Sequence, residues 1–106
     1  MRVLLDECVP RRFGSELGDH LVSTVVEMGW SGSKNGQLLL QASARFDCLL
    51  TVDANLPYQQ ASGSLAVAVL VVRVRTNQLA ELKAIAPRVR EALAQIRPRE
   101  FRVVGS

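Results

Sequence analysis

Two short acidic stretches, each closing an apolar run, are the residues of this chain most able to do chemistry. The first run is Val3-Leu4-Leu5, followed by Asp6 and Glu7. The second is Cys48-Leu49-Leu50-Thr51-Val52, followed by Asp53, Ala54 and Asn55. Each run reads as a buried strand, and each ends in carboxylate where the strand should stop. Ligands of open α/β sheets bind outside the carboxyl ends of the strands. Carboxylates gathered there repel one another unless a cation or a proton sits between them. The pattern therefore predicts a divalent metal site, with Asp6 as the inward ligand. Glu7 follows directly, so strand geometry aims it the other way unless the chain turns; it is either a second ligand or a charge at the start of the helix near Pro10. Thr51, Asp53 and Asn55 alternate, which in an extended chain puts three oxygen-bearing side chains on one side. Asp and Asn offer the hard oxygens that Mg²⁺ and Mn²⁺ prefer, while Thr51 suits positioning a carboxylate or a water. The rival explanation is a polar turn, since Asp and Asn are common turn formers.

The elements that must hold these residues follow from the hydrophobic pattern. Strands are expected at Arg2–Leu5, Leu21–Val26, Asp47–Val52, Ala66–Val72 and, as an edge, Phe101–Val104. The fourth is a continuous apolar run, as in a parallel strand covered on both faces. Helical spacing is found over Arg11–Leu17, after Pro10, and over Gln37–Phe46, where Leu38, Leu39, Ala42 and Phe46 share a face and Ser33 or Asn35 can cap. A short polar turn or helix is expected over Asn55–Ala61. From Thr76 onward Leu79, Leu82, Ile85, Val89, Leu93 and Ile96 form one stripe, and Pro87 is expected to divide it into two helices, because proline within a helix costs about 3 kcal/mol. The alternation of strands and helices predicts parallel strands joined by crossovers.

Length and composition fit one domain over residues 1–106: 106 residues, 48% hydrophobic and 22% charged. No apolar run reaches the roughly 20 residues of a membrane span, and Met1-Arg2 leads straight into a strand, so no membrane association and a cytoplasmic location are expected. The net charge of +3 is compatible with an acidic partner such as nucleic acid. Cys8 and Cys48 form no C-x-x-C pair and there is one histidine, which argues against a zinc cage; both read as small buried apolar residues. Arg11 and Arg12 follow the first acidic pair, where they are either substrate contacts or a solvated helix face. Arg73 and Arg75 fall past the end of the fourth strand, at the same sheet edge. Trp30, in a glycine-rich loop, is either a cap on the core or an interface anchor. His20 has no nucleophile or acid near it in sequence.

Met1 to Pro10, the Glu27-Met-Gly-Trp stretch, Lys34-Asn-Gly-Gln-Leu-Leu and Leu50-Thr-Val-Asp-Ala-Asn together resemble the small PIN-like proteins of the DUF5615 family, relatives of the VapC-type toxin nucleases. The resemblance runs nearly end to end with the motifs in order. It implies a three-layer α/β/α domain with a central, mostly parallel sheet of four to five strands. It also implies a metal-dependent endoribonuclease using Mg²⁺ or Mn²⁺, the toxin half of a toxin–antitoxin pair, with RNA as substrate, a cognate antitoxin as partner and a homodimer as the assembly. Asp6, Asp53 and Glu7 would be the catalytic and metal-binding residues; Arg11, Arg12, Lys34, Asn35, Asn55 and Thr51 would face substrate. One feature departs from the family pattern. Where PIN nucleases carry a further acid, this chain has Lys34-Asn35-Gly36-Gln37, so Asn35 and Gln37 supply amides without charge. The alternative expectation is a catalytically weak or inactive module that binds RNA or a protein, with Lys34 neutralising Asp6. A phosphoacceptor domain would also gather acids at strand ends, but it needs a lysine at a late strand end, and the fourth strand runs into Arg73.

Overall fold

The computed structural model describes residues 1–53, 65–76 and 78–105, apart from the side chain of Asn35. Its strands are β1 (Arg2–Leu5), β2 (Leu21–Thr24), β3 (Cys48–Thr51), β4 (Ala68–Arg73) and β5 (Phe101–Gly105). They form one sheet in the order β2-β1-β3-β4-β5, and every neighbouring pair is parallel. All five carboxyl ends therefore share one rim. Strand order reverses between β1 and β3, and the crevice at such a switch point is where α/β sheets take ligands. Asp6 and Asp53 follow the two strands that flank it.

The three layers follow from side-chain alternation. Val3 and Leu5, Cys48 and Leu50, and Ala68, Leu70 and Val72 point to one face, where they meet Leu82, Ile85, Ala86, Val89 and Leu93 of helix α2 (Leu79–Gln95) together with Phe13 and Leu17. Leu4, Leu49, Val69 and Val71 point to the other face, against Leu38, Leu39 and Ala42 of helix α1 (Asn35–Ser43). β4 is buried along nearly its whole length, from Ala68 to Val72. The segment after β1 is a 3-10 helix, Arg11–Glu16, and not the α-helix expected there. It lies tight on β2: a Cβ at Gly14 would come within 2.9 Å of Val22 Cγ1, so the glycine permits the approach.

Pro87 does not divide the last helix, which runs unbroken from Leu79 to Gln95. The buried stripe continues on both sides of Pro87, while the proline itself is exposed. The missing N–H and the ring clash fall on the solvent side, where the carbonyl of Lys83 can turn to water. Burial of Leu82, Ile85, Val89 and Leu93, at about 1.5–3 kcal/mol each, outweighs the roughly 3 kcal/mol cost. Element ends also move. β2 stops at Thr24, two residues early, because Thr24 and Glu27 exchange bonds: the Thr24 N–H donates to Glu27 Oε1 at 2.9 Å and the Glu27 N–H to Thr24 Oγ1 at 3.0 Å. α1 starts at Asn35 with Lys34 at the cap position and no side-chain cap bond, in place of a Ser33 or Asn35 cap. No described helix is long and apolar enough to cross a membrane. The expected turn at Asn55–Ala61 lies outside the described residues.

Candidate active site

The strands β1 and β3 are joined at their ends by one buried hydroxyl. Thr51, the last residue of β3, is fully buried. Its Oγ1 donates to Asp6 Oδ2 at 2.8 Å and accepts the Asp53 N–H at 3.0 Å. Backbone pairing sets this up. The Asp6 N–H donates to the Leu50 carbonyl at 3.0 Å, which brings Asp6 level with Thr51. A threonine that bonds the amide two residues on makes a turn, so β3 ends at Thr51 and the chain bends before Asp53. The extended alternation expected for Thr51, Asp53 and Asn55 is thereby corrected: the hydroxyl of Thr51 is used within the site, and Asp53 leaves the strand. Asn55 lies outside the described residues.

The Asp6 carboxylate is half-buried and held on both oxygens. Oδ1 accepts the Glu7 N–H at 2.9 Å, and Oδ2 accepts Thr51 and, at 3.6 Å, the Cys8 thiol. Cys8 Sγ also lies 3.5 Å from Thr51 Oγ1. Burial is the main influence on this thiol and raises its pKa, opposed by its bonds to Thr51 and to the Val52 backbone. The place of Cys8 in the cluster was not legible as chemistry in the sequence; its spacing two residues from Asp6 was the only signal. Cys48 differs: it is fully buried in β3 and its pKa is pushed up to about 12 by desolvation.

Glu7 is exposed and turned toward the loop between β2 and α1, where its Oε1 accepts the Gly32 N–H at 2.8 Å. Gly32 has φ +79°, a conformation that favours glycine, and it directs that amide. Trp30 in the same loop packs edge-on against Phe46, with ring centroids 6.1 Å apart, as a cap on the α1-side core. Arg11 and Arg12 are exposed on the 3-10 helix; Arg11 pairs with Glu27 at 3.6 Å. Lys34, exposed at the start of α1, makes no ion pair with Asp6: the pairs among the described residues are Arg11–Glu27, Arg75–Glu81 and Arg102–Glu100. Gln37 is exposed on α1.

Two carboxylates at neighbouring strand ends suit a hard cation that keeps most of its water. Mg²⁺ is commonly held by one or two carboxylates plus substrate phosphate, and an ionised carboxylate has about four acceptor positions, of which Asp6 uses three. No group of three or more His, Cys, Asp or Glu side chains among the described residues is arranged to enclose a metal ion. Compared with protein-family models, with curated proteins and with solved structures, the chain gives no match.

Proposed function

We propose that the protein is a PIN-like, metal-dependent endoribonuclease. The observation that carries the reading is the Asp6–Thr51–Asp53 linkage at the switch point of the sheet. It brings the ends of two acid-bearing strands under one hydroxyl. Asp6 and Asp53 would hold Mg²⁺ or Mn²⁺. When bound, such an ion lowers the pKa of water and offsets charge on a phosphodiester. Thr51 fixes the Asp6 carboxylate in one orientation. Glu7 holds the loop before α1 through Gly32 and stands beside the site as a further acid. Arg11, Arg12, Lys34, Asn35 and Asn55 are the proposed substrate contacts, consistent with the exposure of Arg11, Arg12 and Lys34.

The resemblance in the sequence extends this proposal to the toxin half of a cytoplasmic toxin–antitoxin pair, with an antitoxin covering the crevice and a homodimer as the assembly. A second reading has one observation in its favour. Both oxygens of Asp6 already accept bonds from the chain's own Glu7 N–H and Thr51 hydroxyl, as in a weak or inert module that binds RNA or a partner protein. Incubating a mixed single-stranded RNA pool with the protein and Mn²⁺ separates the two. Cutting by the wild type, lost in Asp6→Asn/Asp53→Asn, supports the nuclease. Intact RNA in both reactions, with RNA retained by the wild type, supports the binding module.

A further inference from the structure

The carboxylates share their rim with a cluster of arginines that the proposed site does not use. Arg73 is the last residue of β4, and Thr51 pairs with Val71 across β3 and β4. Arg73 thus stands two residues beyond the level of Thr51, about 6.6 Å at 3.3 Å per residue, and one strand over, about 4.8 Å. Its side is fixed by alternation. Val69 and Val71 face the α1 layer, so Arg73 does too. Leu4 of β1 and Leu49 of β3 face that same layer, which gives Asp6 and Thr51 the same side as Arg73. α1 lies on this face, and Lys34 at its start stands at the same rim, since α1 leaves the carboxyl end of β2 and returns to the start of β3.

Beside Arg73 is a cavity of about 360 Å³ lined by Arg73, Val74, Arg75 and Gly105. Outside this lining, Arg88 of α2, from the other layer, donates from Nη1 to the Gly105 carbonyl at 2.9 Å. Arg75 is partly balanced by Glu81 at 3.6 Å, whereas Arg73 belongs to none of the ion pairs among the described residues and is exposed. A concave opening with two guanidinium groups in its lining, at the end of a sheet and one strand from an acid site, suits an anion. Arginine forks match phosphate oxygens in pairs.

We propose that this cavity seats a backbone phosphate of a single-stranded nucleic acid, so that the strand runs from the β1/β3 crevice across β4 toward β5. The proposal rests on the nuclease reading for the identity of the strand as RNA. The carboxylates repel phosphate and need a cation to approach it. The Arg73 cavity attracts phosphate with no metal, so it sets affinity and direction.

The test is fluorescence anisotropy with a labelled single-stranded RNA of about twenty nucleotides, in EDTA, over a series of salt concentrations; a DNA strand of the same sequence forms the second arm. Arg73→Ala/Arg75→Ala is expected to weaken binding of both strands by about tenfold and to flatten the log–log salt slope by about 0.7, the value for one lost phosphate contact on a single strand. Lys83→Ala, an exposed cation elsewhere on α2, is expected to change affinity less than twofold. Arg73→Glu should exceed the alanine effect with an unchanged melting temperature, since the residue is exposed. Binding by the double variant equal to wild type overturns the proposal, as does a wild type that binds neither strand. Its fate is separable from that of the nuclease. A protein that binds through Arg73 and Arg75 without ever cutting keeps this site and loses the catalytic reading. One that cuts normally with both arginines removed does the reverse.

Discussion

Thr51→Val is the perturbation that most directly probes how the site is held together. Valine has nearly the shape of threonine, so the substitution leaves no cavity and removes only the hydroxyl. Two strong bonds disappear, the donor to Asp6 Oδ2 at 2.8 Å and the acceptor for the Asp53 N–H at 3.0 Å, together with the weaker contact to Cys8 Sγ at 3.5 Å. A hydrogen bond to a charged group contributes about 1.5–3 kcal/mol and a neutral one about 0.5–1.5 kcal/mol. Asp6 is half-buried and water can replace part of the loss, so the expected net cost is about 2 kcal/mol. With a urea slope of about 1–2 kcal/mol/M, the midpoint should fall by about 1–2 M. Thr51→Ser keeps the hydroxyl and deletes one buried methyl, for about 1 kcal/mol. Urea unfolding followed by circular dichroism orders the three proteins as wild type, serine, valine. A valine variant as stable as wild type, or a serine variant as damaged as the valine one, would refute the claim that the hydroxyl joins the two strand ends.

Glu7→Gln should speed amide exchange at Gly32 in solution NMR by severalfold while leaving the core amides of β1 and β3 unchanged, because it weakens the charged bond that holds the loop; equal exchange in both proteins would sink that role. Pro87→Ala should raise stability by about 1–3 kcal/mol, restoring a helical N–H and removing the ring clash on an exposed face, and a loss of stability would show that the helix depends on the proline. Cys48 carries the pH prediction. Its folded pKa, about 12, lies above the ordinary 9.0, so the folded state keeps the proton where the unfolded chain releases it. The stabilisation is full below pH 9 and drains between pH 9 and 12, at about 1.4 kcal/mol per pH unit. Urea midpoints measured from pH 8 to pH 11 should therefore fall more steeply for wild type than for Cys48→Ala, and parallel slopes would contradict it. In the native protein at pH 8, a thiol reagent should reach Cys8 before Cys48, and modification of Cys48 should wait for unfolding; mass spectrometry of labelled peptides reads the order.

Much of the fold was legible because the apolar runs are short, separate and punctuated. All five strands sit where β-branched and leucine-rich runs predicted them, and the continuous run through β4 announced a strand covered on both faces. The sheet is parallel throughout, as the alternation of strand and helix required. At Pro87 local propensity and the tertiary face disagree, and the face decides: a stripe that stays buried on both sides of a proline carries it on the solvent side. The 3-10 form of Arg11–Glu16 was hidden because its tightness is set by Gly14 lying against Val22, a contact no local pattern displays. At the site, Asp6 and Asp53 were visible as acids at strand ends. Their linkage was not, since it depends on register: Asp6 meets Thr51 only because β1 and β3, distant in sequence, are neighbours. Glu7 shows the same limit, for its partner Gly32 lies on a loop that the sequence marks only as glycine-rich.

The central claim is that Asp6 and Asp53 act together as a cation site, and a melting curve with and without Mn²⁺ tests it most directly. An ion that binds only the folded chain stabilises it by RT ln(1 + [L]/Kd), about 1.4 kcal/mol at ten times Kd, which for a domain of this size is several degrees. That rise is expected for the wild type, no rise for Asp6→Asn or for Asp53→Asn, and a retained rise for Glu81→Gln, whose carboxylate pairs with Arg75. A wild-type melting temperature unmoved by millimolar Mn²⁺, or a rise that persists when both site carboxylates are amides, would contradict it.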